Sequence, residues 1–179
     1  AVTDAEAAAL FGAGAACSFV SDSALKVTFG SRPTVLPGDT LGLKDLALQA
    51  ATEGASLFTM GETFAVGQPL VPTVPAAALA ASSTAVGRCD DLVLDGSGSS
   101  GSGGRDLTYA YSVSPVAPTS AAAVANLTAI FAATAGYNVV VPSRDMESGS
   151  KFTVTLTVTN FLGEVDSTSV VVEKLSVPA

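Results

Sequence analysis

The chain has 179 residues, 48% of them hydrophobic and only 13% charged, with a formal net charge of −8 and a mean hydropathy of +0.49. Eight basic against 16 acidic residues supply no basic patch for nucleic acid or an anionic membrane surface, and Gly, Ser, Thr and Pro interrupt every apolar run well short of the roughly 18 residues a membrane helix needs. Histidine is absent, which excludes Ser-His-Asp and Cys-His nucleophile systems and every His-based zinc site, and two cysteines cannot complete a structural zinc shell.

What remains for catalysis is a carboxylate pair of the glycosidase kind. Asp90/Asp91, Asp145/Glu147 and Glu164/Asp166 are the candidates, but each lies beside turn residues, where acids are ordinarily solvated. The sequence therefore predicts no enzyme and no cofactor. The chain opens at Ala1 without a signal-like segment, which reads as a processed chain or an excised piece.

In chain order, Cys17 precedes the first predicted strand, ALKVTFG over 24–30, which Ser and Gly bound. TVLPGDTLGLK over 34–44 carries a Pro-Gly-Asp turn in its middle, and SLFTMGETFAV over 56–66 is rich in strand-forming residues. These segments make up an N-terminal module, 1–68, expected to be a β-sandwich. Pro69, Pro72 and Pro75 then recur every third residue, which favours an extended, polyproline II-like spacer. Residues 69–87 are read as a Pro/Ala/Ser-rich linker with a first strand, and 88–179 as the second module.

That module opens on CDDLVLDGSGSSGSGGRDLTYAYSV, 89–113, where Gly96, Gly98 and Gly101 spell G-x-G-x-x-G. A dinucleotide loop requires a strand before the glycines and a helix after them, whose N-terminus faces the pyrophosphate. DLVLD supplies the strand. After the glycines, however, Leu107, Tyr109, Tyr111 and Val113 alternate with Asp106, Thr108, Ala110 and Ser112, which is a second strand, and no P-loop Lys follows. The glycines are read as the turn of a hairpin. Such a hairpin would bring Asp95 and Asp106 together as weak calcium candidates, with Asp90, Asp91 and loop carbonyls as further oxygens. The plainer reading has both acids accept backbone N–H bonds in the turn and offset Arg105, and no metal is favoured.

TSAAAVANLTAIFAATAG, 119–136, has a Thr/Ser cap signal, a terminal Gly136, and Val124, Leu127, Ile130 and Phe131 at helical spacing. The spacing predicts a short helix bridging the two halves of the second module. Asn126-Leu127-Thr128 is an N-glycosylation sequon whose Asn lies off the apolar stripe. KFTVTLTV then places Phe152, Val154, Leu156 and Val158 on one face and Thr153, Thr155 and Thr157 on the other; after TNFLGE the chain returns as VDSTSVVVEKL. Spaced strands with turn signals predict an all-β chain of two β-sandwich modules, the second with a short helix.

The LDGSGSSGSGGR turn and the GSKFTVTLTVTNFLG hairpin resemble the receptor-for-egg-jelly (REJ) and polycystic-kidney-disease (PKD) type of immunoglobulin-like module, over about residues 70–175. The preceding CSFVSDSALKVTFGSRPTVLPGDTLGLK is similar to the region before such modules in large surface and matrix proteins of algae and other protists. The family commonly places a Trp where this chain has Tyr111, and Trp is absent here. The resemblance implies an extracellular module of a long multi-domain protein, without enzymatic chemistry. The expected function is structural: a repeated unit of a fibre, an appendage or a cell-surface matrix. The alternative is an adhesion or recognition module that binds a glycan or a partner protein.

Little charge opposes close approach of the Thr-lined face of KFTVTLTV or of the Ala-rich segments 76–85 and 119–135. The expected partners are accordingly sibling domains or copies of the chain itself, docked through an edge strand or the Ala-rich surface. Outside the cell an even cysteine count favours one bridge over two free thiols. With one cysteine in each module, a Cys17–Cys89 bridge would join the modules; the rival is a bridge to a neighbouring subunit, and inside a cell both would be buried thiols.

Overall fold

A computed structural model of the chain describes residues 4–43, 45, 61–116 and 118–176. The protein is mostly β, with several open sheets and no barrel among the described residues. It divides into two compact units, Ala1–Pro72 and Thr73–Ala179.

The first unit starts with a helix that the strand patterns did not announce, α1 (Asp4–Phe11). Its last carbonyls are satisfied by the chain beyond the first hairpin: Gly30 N–H donates to Phe11 O, Thr34 Oγ1 to Ala9 O, and the N–H groups of Thr34 and Val35 to Leu10 O. Strands β1 (Ala16–Ser21) and β2 (Ala24–Thr28) form an antiparallel ribbon, and β3 (Thr40–Gly42) pairs with β4 (Thr63–Ala65) in a second one. Val35 is buried, whereas Phe19, Phe29 and Phe64 are about half exposed. The first residues of the predicted 56–66 strand lie outside the described residues.

The second unit holds two sheets. One has the order β6 (Ala85–Val86), β11 (Val165–Lys174), β10 (Lys151–Thr159), β8 (Thr108–Val116); the other runs β5 (Ala80–Ala81), β7 (Leu92–Asp95), β9 (Asn138–Val141). The period-2 reading of KFTVTLTV holds in full. Phe152, Val154, Leu156 and Val158 are completely buried, and β10 pairs antiparallel with β11 from Lys151↔Glu173 to Thr159↔Val165. From the other sheet Leu92, Leu94, Val139 and Val141 enter the same apolar cluster. Helix α2 (Ala121–Ala132) adds Leu127 and Phe131 to it. Ser120 caps α2 by accepting the Ala123 N–H, as the cap signal predicts.

Two expectations are corrected. The strands around the glycine run do not form a hairpin: β7 pairs with β5 and β9, and β8 pairs with β10 in the other sheet. The Gly/Ser segment is long enough to cross between sheets, and Gly96 N–H is anchored on Tyr137 O at 2.7 Å. Nor is most of 69–87 a spacer. From Thr73 onward it belongs to the second unit, where Ala76 bridges Ser100, β5 joins one sheet and β6 joins the other, lying parallel to the end of β11.

Candidate functional site

At three places in the second unit, polar side chains tie together segments remote in sequence. Where the chain leaves the unit, Lys174 is 2% exposed. It follows Val170 and Val172 on the same face of β11, so the alternation that buries the valines carries an ammonium inward with them. Its Nζ donates to Gly87 O (2.6 Å), Asp90 O (3.3 Å) and Ser143 Oγ (2.7 Å). Ser143 Oγ donates to Arg88 O, and its N–H donates to Asp91 Oδ1 at 2.7 Å. All three ammonium protons thus meet oxygens, as a buried charge demands. Together Lys174 and Ser143 act as a clip between chain segments. The clip fastens β11 to the β6–β7 turn and to the 3-10 turn Ser143–Asp145.

Where the chain enters, Asn160 in the β10–β11 turn is 5% exposed. Its Nδ2 donates to Thr73 O at 2.6 Å, and its Oδ1 accepts from the N–H groups of Leu162 (3.0 Å) and Glu164 (3.1 Å). Asp166 Oδ2 accepts the Ala77 N–H at 2.7 Å, and Ser99 Oγ accepts the Ala78 N–H. The glycine loop lies against this entering segment. At Gly101, with φ +81°, an added Cβ would sit 2.2 Å from Val74 O, so glycine is required both by conformation and by close approach.

The third place is Tyr111, 9% exposed, whose OH donates to Tyr137 O at 2.6 Å and so links β8 to the chain entering β9 in the opposite sheet. Its ring packs on Phe131 with centroids 5.8 Å apart. Burial pushes the phenol up to about 12, with the charges of Asp95 and Tyr109 adding to the shift. Tyr109 and Tyr137 form an edge-to-face pair beside it, centroids 6.0 Å apart.

One acid of each pair considered for catalysis ties a loop. Asp91 holds Ser143 and Asp166 holds Ala77, while Glu147 accepts the Ser120 N–H at 3.1 Å, and hydrogen bonding from Ser120 lowers its carboxyl below the usual range. Asp95 and Asp106 no longer share a hairpin. Asp95 Oδ1 accepts the Ser97 N–H at 2.8 Å, which lowers its carboxyl, as the plainer reading had it; Asp106 is exposed. Among the described residues no group of three or more Asp, Glu or Cys is placed to hold a metal. Cys17 on β1 and Cys89 in the β6–β7 turn are exposed free thiols, one in each unit. Asn126 is exposed on α2, where its Nδ2 donates to Asp145 O at 3.0 Å.

Sequence reasoning missed Lys174 and Asn160. The available signal for Lys174 was its phase with Val170 and Val172; for Asn160 it was position, directly after a strand whose every second residue is buried. Comparison of the chain with protein-family models, curated proteins and solved structures finds no match.

Proposed function

We propose that the chain is a non-enzymatic structural segment of an extracellular assembly, its second unit an immunoglobulin-like sandwich of the REJ/PKD type and its first a smaller β module. The observation that carries this reading is the fastening of the second unit at both ends. Asn160 and Asp166 hold the chain where it enters, and the Lys174 clip holds it where it leaves. A link in a fibre or matrix transmits tension through those two points, and buried, fully satisfied polar ties resist it there. The Tyr111 bridge between the sheets occupies the place the resembled family commonly gives to Trp. In this reading copies or sibling domains pack through the Thr-bearing sheet and its edge strands, Asn126 is open to a glycan, and Cys17 and Cys89 are available for bridging in an oxidising compartment.

Immuno-electron microscopy of native material, with antibodies raised against the chain, tests the proposal. The expected result is periodic labelling of an extracellular filament or wall. Labelling confined to the cytosol, together with a monodisperse monomer in native extracts, overturns it.

A further inference from the structure

All three tyrosines of the chain, Tyr109, Tyr111 and Tyr137, lie in the second unit and at one place in it. They are not equivalent. Tyr111 is 9% exposed and its OH is engaged by Tyr137 O. Tyr137 is 51% exposed, Tyr109 is half-buried, and their rings meet edge to face with centroids 6.0 Å apart. The surroundings offer an oxidant few competing targets. Trp and His are absent from the chain, and of its two methionines Met146 is buried and Met60 lies outside the described residues. Among the described residues the exposed oxidisable groups besides this pair are the thiols of Cys17 and Cys89.

We propose that Tyr109 and Tyr137 form an oxidative cross-linking site, closed by a carbon–carbon bond between the two rings when a haem peroxidase and hydrogen peroxide supply the oxidation. Each phenol gives up one electron and one proton to become a phenoxyl radical. The two radicals join at the ring carbons ortho to oxygen, and the hydrogens on those carbons return to the oxygens as aromaticity is restored. The protein loses two hydrogens in all, and one peroxide is reduced to two waters. The contact at 6.0 Å lets two radicals on one chain combine before they meet a second molecule, which is the advantage of holding reactants side by side. Gly136, at φ +127°, directly precedes Tyr137 in the turn that enters β9, where the backbone is freest to let the rings close.

The bond would join β8 to the start of β9, which lie in opposite sheets, at the end of the unit where Tyr111 already bridges them non-covalently. The site would thus convert a hydrogen-bonded junction into a permanent one. This reactivity belongs to the chain itself; only its use in hardening an assembly rests on the structural reading given above.

The test uses the full chain with Cys17 and Cys89 alkylated, at high dilution, treated with peroxidase and hydrogen peroxide. The expected product is a monomer lighter by two hydrogens, with dityrosine fluorescence and a cross-linked peptide pair carrying Tyr109 and Tyr137. Tyr109→Phe and Tyr137→Phe each abolish it, whereas Tyr111→Phe retains it. A product linked only between chains, a cross-link that survives in Tyr137→Phe, or an unchanged mass under conditions that couple free tyrosine overturns the proposal, and none of these outcomes bears on where the native chain resides.

Discussion

Replacing Lys174 by Met keeps the aliphatic stem on β11 and deletes only the ammonium, so the variant weighs two opposing effects. Burial of the charge is unfavourable: Lys174 is 2% exposed, and the ion pairs among the described residues are Arg144–Asp145 and Lys151–Glu173, neither of which involves it. A buried charge can therefore be replaced by an apolar group at little cost where its partners are also removed. Here the partners stay. Gly87 O, Asp90 O and Ser143 Oγ all lose a donor. Asp90 is exposed and its carbonyl regains water, but Gly87 and Ser143 are partly buried. Gly87 O keeps the Asp90 N–H and Ser143 Oγ keeps its bond to Arg88 O, so neither is orphaned. What is lost is hydrogen bonding to a charged donor, about 1.5–3 kcal/mol per bond, and with relief of the desolvated charge set against it the expected loss is about 1 kcal/mol. Tyrosine fluorescence during urea unfolding is the assay, because every tyrosine lies in the second unit and the signal reports that unit alone. Lys174→Met should lower the midpoint with an unchanged slope, and Ser143→Ala should lower it less, since it removes one oxygen of the cage. A Lys174→Met protein as stable as the parent, or more stable, would show that desolvation outweighs the clip and would remove the argument built on it.

Tyr111→Phe leaves Tyr137 O with the Gly96 N–H, so it should cost only about 1 kcal/mol near pH 9. Because burial raises the folded phenol to about 12, its contribution is intact below the unfolded value near pH 10 and drains away as pH rises through 10 to 12, at about 1.4 kcal/mol per pH unit. The parent's advantage over Tyr111→Phe should therefore vanish near pH 11; a difference that stays constant from about pH 9 to pH 11 contradicts the assigned burial. Leu156→Ala, at a fully buried position between the sheets, should cost about 3 kcal/mol by urea unfolding, and a loss below about 1 kcal/mol would mean that the sheets do not share one core. Gly101→Ala combines φ +81° with a Cβ 2.2 Å from Val74 O and should cost about 2 kcal/mol; a neutral result would show that the entering segment does not lie against the glycine loop.

Period-2 alternation was enough to place β10, β11 and the buried face of Phe152, Val154, Leu156 and Val158, because a strand's side chains sort by side whatever it pairs with. The Ser cap and the spacing of Leu127 and Phe131 likewise placed α2, since capping and helical period are local properties. Partner choice is not local. The sequence around Gly96 reads as two strands and a turn, but whether β7 meets β8 or β9 depends on which apolar faces close over one core, and the Gly/Ser loop is long enough for either. The short strands β5 and β6 escaped detection for a related reason: two paired residues carry no period, and AAALAASSTAV becomes sheet only because β7 and β11 offer their edges. Lys174 is the sharpest case. Its charge argues for solvent and its phase argues for the interior, and three oxygens from the β6–β7 turn and Ser143, remote in sequence, decided for the interior.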